Sequence, residues 1–229
     1  MWLVTTYSPN SLFSLRTSSS TSSGGKTNLV PTMYSVKMAL LDAAFRKGVE
    51  GKEIFPWIRD LDIRFEPPRQ AIVNNSFIKI QTEPKDKKTG PAFISSVGFR
   101  EYVFFDGELA IAIQTKGLAE QQLSLLKELL LHLHYLGKRG SFLQAVSQEV
   151  REELGQTFSA LLGEQTAFSE CVVMQYLDDM GPKATFESVS SFDGTSAKMG
   201  RDRIMKTVFI PYQQKRASRD FTWYTREES

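Results

Sequence analysis

The chain carries one cysteine and two histidines in 229 residues. A lone thiol excludes an internal disulfide framework and any cysteine-based zinc cluster, and it suits a reducing compartment. Cys171 sits in the apolar run Cys-Val-Val-Met and reads as core packing. His132 and His134 lie two apart in a segment that reads as helix, which turns them roughly 200° from each other. They cannot share a metal as i, i+4 ligands would, so one reads as core-edge and the other as solvent-facing, and no metal or cofactor is expected. No histidine precedes residue 132, and there is no Gly-x-Ser-x-Gly elbow. The paired carboxylates Glu152-Glu153, Asp178-Asp179 and Glu227-Glu228 are consecutive, so each pair points apart and reads as solvated surface. The N-terminal apolar run, residues 2–4, is far too short for a signal peptide or a membrane span. A cytoplasmic protein with no membrane contact is the expectation.

Charge is nearly balanced in total and unbalanced in place. The net charge is +2, yet residues 198–226 hold eight Lys or Arg against two Asp, so that segment carries +6 and the rest −4. Such asymmetry points to a nucleic-acid face.

Length and the 41% hydrophobic content allow a sizeable core. Residues 1–7 read as a first strand, though their alternation is poor. The Ser and Thr crowd at 17–27, broken by Gly24 and Gly25, reads as a mobile loop. Residues 34–46 place Val36, Leu40, Leu41 and Ala44 at helical spacing, with Thr32 or Ser35 as caps and Gly48 past the end. A strand is expected in the second half of 58–65, stopped by Pro67-Pro68, then a strand pair at 71–81 and 91–105 around a charged turn, and another strand at 108–114. The Leu-rich segment 118–136 reads as the strongest helix, with Leu118, Leu125, Leu129, Leu133 and Leu136 near one stripe. Beyond residue 144, helix is expected within 146–162, strands at 167–177, 186–190 and 206–210, and a loop at 191–200. The order predicts an α+β chain: a ferredoxin-like (RRM-like) unit over 1–144 with an elaborated hairpin thumb at about 69–105, and a smaller strand-rich part over 145–229.

The densest functional signal lies in residues 99–140. Arg100 and Tyr102 open an apolar strand, and Lys138 and Arg139 stand between Gly137 and Gly140, where the backbone can approach a ligand closely. That layout suits a polyanion. Residues 20–27, Ser-Thr-Ser-Ser-Gly-Gly-Lys-Thr, fall one residue short of a phosphate-loop pattern, but Pro31 follows too soon for the helix such a loop needs. Lys26 remains a contact for a nucleic-acid phosphate. Near the C-terminus, Lys215, Arg216 and Arg219 interleave with Tyr212, Phe221, Trp223 and Tyr224, a mixture that serves single-stranded RNA or a docked protein equally well.

The Arg-Glu-Tyr strand, second apolar strand, Leu-rich helix and Leu-Gly-Lys exit within 99–140 resemble the fifth CRISPR-associated (Cas-five) family of the RAMP superfamily. By order of elements the resemblance runs over roughly residues 1–142. It implies a subunit of a type I surveillance complex (Cascade) that binds and caps the 5′ handle of the guide RNA without catalysis. In that family the loop after the first strand, the start of the first helix and a hairpin thumb surround the handle. Here these correspond to Arg16, to Tyr34 and Lys37, and to Lys79, Lys85, Lys87 and Lys88. The resemblance also implies a repeating backbone subunit, a large subunit, target DNA and, in complexes of the transposon-recruiting kind, transposition proteins. Two alternatives stay open: a metal-independent repeat endoribonuclease using Tyr7, Tyr34 or Lys37, and an RNA-free docking subunit.

Overall fold

The structure is a computed structural model that describes residues 1–10, 12–18, 20, 24–84, 91–164, 172–190 and 197–226. Its mixed α+β architecture starts from β1 (Trp2–Pro9), which is buried along both faces. Leu3 and Tyr7 enter the main core under the helices, while Val4 faces a small second core with Ala110, Ala112 and Phe158. A strand covered on both sides has no polar face to alternate with, hence the poor alternation in sequence. β1 lies inside an antiparallel sheet of order β3-β6-β1-β7, where β3 is Ile63–Glu66, β6 is Leu109–Gln114 and β7 is Leu143–Arg151. The sheet therefore takes its outer strand from residues beyond 142.

Helix α1 (Met33–Arg46) is fixed at its start by a reciprocal cap: Thr32 accepts from the Ser35 amide at 3.1 Å while Ser35 accepts from the Thr32 amide at 3.1 Å. Val36, Leu40, Ala43 and Ala44 face the core, and Gly48 (φ +74°) turns the chain out. Helix α2 (Gly51–Arg59) was not assigned from sequence; it forms in spite of Pro56, because burial of Ile54, Phe55 and Ile58 outweighs the lost backbone bond. Only the later part of 58–65 is strand.

β4 (Gln70–Thr82) and β5 (Ile94–Asp106) form the long hairpin expected from sequence. Its base widens into a sheet of order β11-β12-β4-β5-β2, with β2 at Gly24–Gly25, β11 at Gln213–Ala217 and β12 at Phe221–Thr225. The C-terminal basic and aromatic stretch is thus a hairpin stitched onto β4 and not a tail. Tyr212, ahead of it, is buried and donates to the Pro68 carbonyl at 2.7 Å. Residues 24–28 are likewise held, by β2 against Phe99 and Arg100 and by the Arg16–Thr27 bridge, which corrects the expected mobile loop where it is described.

Helix α3 (Glu120–Leu131) stops well short of 136. Leu126, Leu129 and Leu130 are its buried residues, and Leu133 and Leu136 reach the core from an extended segment beyond it. His132 caps the helix and His134 lies past its end; both are exposed, contrary to the core-edge reading. Where helix was expected in 146–162 the chain forms β7 and the short β8 (Ala160–Leu161). Val146 and Val150, four apart, satisfy a helical period and a strand period alike, and here they are exposed on an edge strand. Conversely 186–190 is not a strand: Thr185 and Ser188 cap the single turn α4 (Phe186–Val189), whose Phe186 packs against Phe45 and Phe55. β10 (Arg203–Ile210) runs between β8 and β9 (Val173–Met180). Cys171, Glu227-Glu228 and most of the 191–200 loop lie outside the described residues.

Candidate nucleic-acid interface

The turn after Leu136 shows how local sequence builds a cation-presenting edge. Tyr135 bridges to Phe142, and Gly137 (φ +72°) and Gly140 (φ +100°) take the left-handed conformations that close the loop. Lys138 and Arg139 are left exposed at its tip, on a hairpin turn and not at a helix exit. Gly137 and Lys138 form one wall of a cleft of about 510 Å³. Ser14, Leu15 and Arg16 from the loop after β1 form another, Thr32, Tyr34 and Ser35 at the start of α1 a third, and Ile78, Ile80 and Arg100 on the long hairpin a fourth.

Arg203 and Asp178 complete the lining. The Arg203 guanidinium lies 4.4 Å over the Tyr34 ring and pairs with the Asp178 carboxylate. Burial pushes the Tyr34 phenol above its ordinary range, against the opposing pull of Arg203, so it stays protonated as a donor at neutral pH. Four cations, Arg16, Arg100, Lys138 and Arg203, thus converge from four separate segments, with Asp178 as the acidic residue of the lining. The N-terminus of α1 adds its partial positive charge on the same side. Such a cleft favours a polyanion.

Arg100 depends on a close approach. A Cβ at Gly25 would lie 2.7 Å from the Arg100 Cδ, so the glycine leaves room for the arginine stem to cross β2. Residues 24–27 do not form a phosphate loop: α1 begins only at Met33, and Lys26 pairs with Glu101 at 2.6 Å.

The structure therefore gathers Arg16, Tyr34, Arg100 and Lys138 in one place and separates the other residues singled out in the sequence. Arg139 is exposed beside Lys138 without lining the cleft. Tyr102 shares a β5 face with Arg100 but is half-buried farther along, opposite Asn74. Lys79 is exposed on the opposite face of the hairpin, opposite Val97. Lys37 is a correction: its side chain is 1% exposed, donating to Asp179 at 2.6 Å and to the Arg59 carbonyl at 2.7 Å. Burial pushes its ammonium below the ordinary lysine range while Asp179 pulls it back. Lys37 holds α1 against β9 and is not a surface contact. Lys215, Arg216, Arg219 and Trp223 belong to the β11–β12 hairpin at the base of β4; Arg216 lies over Phe221, and the Trp223 indole donates to Gln70 at 3.0 Å. Lys85, Lys87 and Lys88 lie outside the described residues.

Sequence reasoning missed Arg203. The +6 excess over 198–226 includes Arg203, but the aromatic residues that mark the segment, at 212–224, lie beyond β10. Of the three groups considered for RNA cleavage, Tyr7 is buried and donates to the Leu130 carbonyl at 2.8 Å, with its phenol pushed well up by burial. Tyr34 is the one that lines the cleft. Among the described residues no group of three His, Cys, Asp or Glu is placed to hold a metal, and no helix is long and apolar enough to cross a membrane.

No protein-family model matches the chain. It is 27% identical over 206 residues to a CRISPR-associated protein Cas5 from Archaeoglobus fulgidus, covering 86% of this chain and 87% of that protein. The likeness to the Cas-five family read from residues 99–140 thus extends along most of the chain. Among solved structures, a CRISPR protein from Archaeoglobus fulgidus aligns over 99% of this chain and 92% of its own, with a TM-score of 0.48 and 13% identity. A CRISPR RNA-guided surveillance complex aligns over 92% and 89%, with a TM-score of 0.47 and 14% identity.

Proposed function

We propose that this protein is a non-catalytic, cytoplasmic subunit of a type I CRISPR surveillance complex, and that its cleft holds the 5′ handle of the guide RNA. The observation that carries this reading is the convergence of Arg16, Arg100, Lys138 and Arg203 around Tyr34. Phosphates would neutralise the cations, and the mechanism is positional: backbone contacts fix the strand and a few bases give specificity. The Cas5 relative supplies the biological context.

The frame is a ferredoxin-like unit. Strands β1, β3, β6 and β7 stand in the spatial order β7-β1-β6-β3, with α1 after the first and α3 after the third, and the β4–β5 thumb is an elaboration between the middle pair. We divide the chain after β7, the rest being a strand-rich part docked on that frame. Phe77 and Phe99, with ring centroids 4.2 Å apart, are exposed with Val97 on the thumb face turned away from Arg100, and this apolar strip is our assignment for the repeating backbone subunit.

The test is to incubate the chain with labelled CRISPR repeat RNA and run native and denaturing gels in parallel, with and without chelator. A shifted, uncut RNA is expected. A chelator-resistant cut abolished by Tyr34→Phe would replace this reading with the endoribonuclease, and a chain that shifts no RNA would replace it with the docking subunit.

A further inference from the structure

A second cavity adjoins the cationic cleft on two sides. Where the cleft is lined by Ser14, Leu15 and Arg16, the next residues of the same loop, Thr17 and Ser18, line the second cavity; where the cleft is lined by Asp178 and Arg203, the same strands continue into it with Gln175, Tyr176, Met174 and Met205. Register explains the continuity. Met205 stands opposite Asp178, Thr207 opposite Tyr176 and Phe209 opposite Met174, so Asp178, Tyr176 and Met174 share one face with Arg203 and Met205. Met205 lies two positions along the strand from Arg203, a step of about 6.8 Å.

The contents of this cavity are unusual for a surface. Tyr176 is 59% exposed, Met174 53% and Met205 38%, three large apolar side chains grouped on one sheet face. The Ser18 hydroxyl reaches the Met205 sulfur at 3.5 Å and holds the loop across one end. The floor is Asn28. Its backbone is fully engaged: the amide donates to the Leu15 carbonyl at 2.7 Å and its carbonyl accepts from the Thr27 hydroxyl at 3.2 Å. Its side chain is not. Asn28 is 2% exposed, lines the cavity, and its carboxamide has no hydrogen-bond partner among the described residues. Neither carboxamide atom is shut off from solvent, so both face the cavity and offer N–H donors and an acceptor oxygen to whatever enters.

We propose that this cavity is a nucleobase subsite: a base stacks on the Tyr176 ring between the thioethers of Met174 and Met205 while its polar edge meets the Asn28 carboxamide, and the phosphate of the same strand sits at Arg203. Every base of a single strand presents a donor beside an acceptor on an exposed edge, so the carboxamide can anchor any of them and stacking on Tyr176 supplies the rest. This inference rests on the reading of the cleft as an RNA site and adds to it the place where a base is held.

Fluorescence anisotropy of the full chain with labelled 12-mer oligoadenylate and oligouridylate at low salt tests it. The wild type should bind both, because stacking and a carboxamide contact accept either base. Tyr176→Ala should weaken both by about 5- to 150-fold, because stacking is tolerant of base identity. Asn28→Ala should weaken both by about 5- to 150-fold without lowering Tm, since the amide makes no hydrogen bond within the protein among the described residues. Wild-type affinity in both variants, alongside weak binding by Arg100→Ala, would overturn the subsite and leave the cleft standing. A wild type that binds neither oligonucleotide would overturn both.

Discussion

Arg100→Ala combined with Lys138→Ala removes two of the four cations that converge on the cleft while leaving Arg203 on Asp178 and Arg16 on its loop. Each phosphate neutralised on a single strand contributes about 0.7 to the slope of log K against log salt, so four contacts contribute about 2.8 and two about 1.4. Between 50 and 200 mM salt, the cleft of the wild type should therefore lose about 50-fold in affinity and that of the double variant about sevenfold. Cations elsewhere on the protein add equally to both, which makes the difference in slope, about 1.4, the diagnostic quantity. The assay is a fluorescence anisotropy titration of handle RNA at four or more salt concentrations, with a melting scan to check that the variant is folded. Lys138 is exposed on its turn and makes no ion pair among the described residues, so its loss should leave the fold alone. Parallel slopes for the two proteins would refute the assignment of Arg100 and Lys138 to phosphate.

Lys37→Ala should destabilise the protein by about 3 kcal/mol in chemical denaturation, at the low end for a broken buried ion pair because Lys206 still holds Asp179 at 2.9 Å. RNA affinity per folded molecule should be unchanged, and a loss of affinity without a loss of stability would return Lys37 to the binding surface. Gly25→Ala should push the Arg100 stem out of place, since the added Cβ would meet Cδ at 2.7 Å, and should lower the salt slope by about 0.7, one contact's worth. An unchanged slope would show that Arg100 does not work from that position. Tyr212→Phe leaves the Pro68 carbonyl without its donor and should cost about 1–3 kcal/mol in stability with no effect on RNA binding. A variant as stable as the wild type would show that the hydroxyl does not tie the C-terminal hairpin to the start of β4.

What the sequence disclosed depended on how strongly each segment was patterned and how local its constraints were. The α1 helix, with its Thr32–Ser35 cap and trailing Gly48, and the β4–β5 hairpin carry their signals within a few residues, and both stand as expected. The Gly137 and Gly140 pair was legible for the same reason, because positive φ is a local demand. Errors came where tertiary packing decided. α3 ends at Leu131 although apolar residues continue, because Leu133 and Leu136 fill the core from an extended backbone. β7 reads as helix because its exposed valines are spaced four apart, and α2 forms in spite of Pro56 because one side of it is buried. The site followed the same division. Arg100 and Lys138 could be named from their own segments, and Arg16 and Tyr34 from the family resemblance, but Arg203 joins them only in the fold. Lys37 looked like a surface cation until a buried Asp179, 142 residues away, gave it a partner. Arg203 and Asn28 had no local mark: one owes its place to a stack on Tyr34, the other to a side chain left unpaired in a buried wall.

The most direct test of the central claim is ultraviolet cross-linking of handle RNA to the full chain, followed by mass-spectrometric mapping of the modified peptides. The account predicts cross-links on the peptides that carry Arg16, Tyr34, Arg100, Lys138 and Arg203, with the RNA recovered uncut. Cross-links confined to the β11–β12 hairpin, at Lys215, Arg216 and Trp223, would contradict it and move the RNA site to the other end of β4.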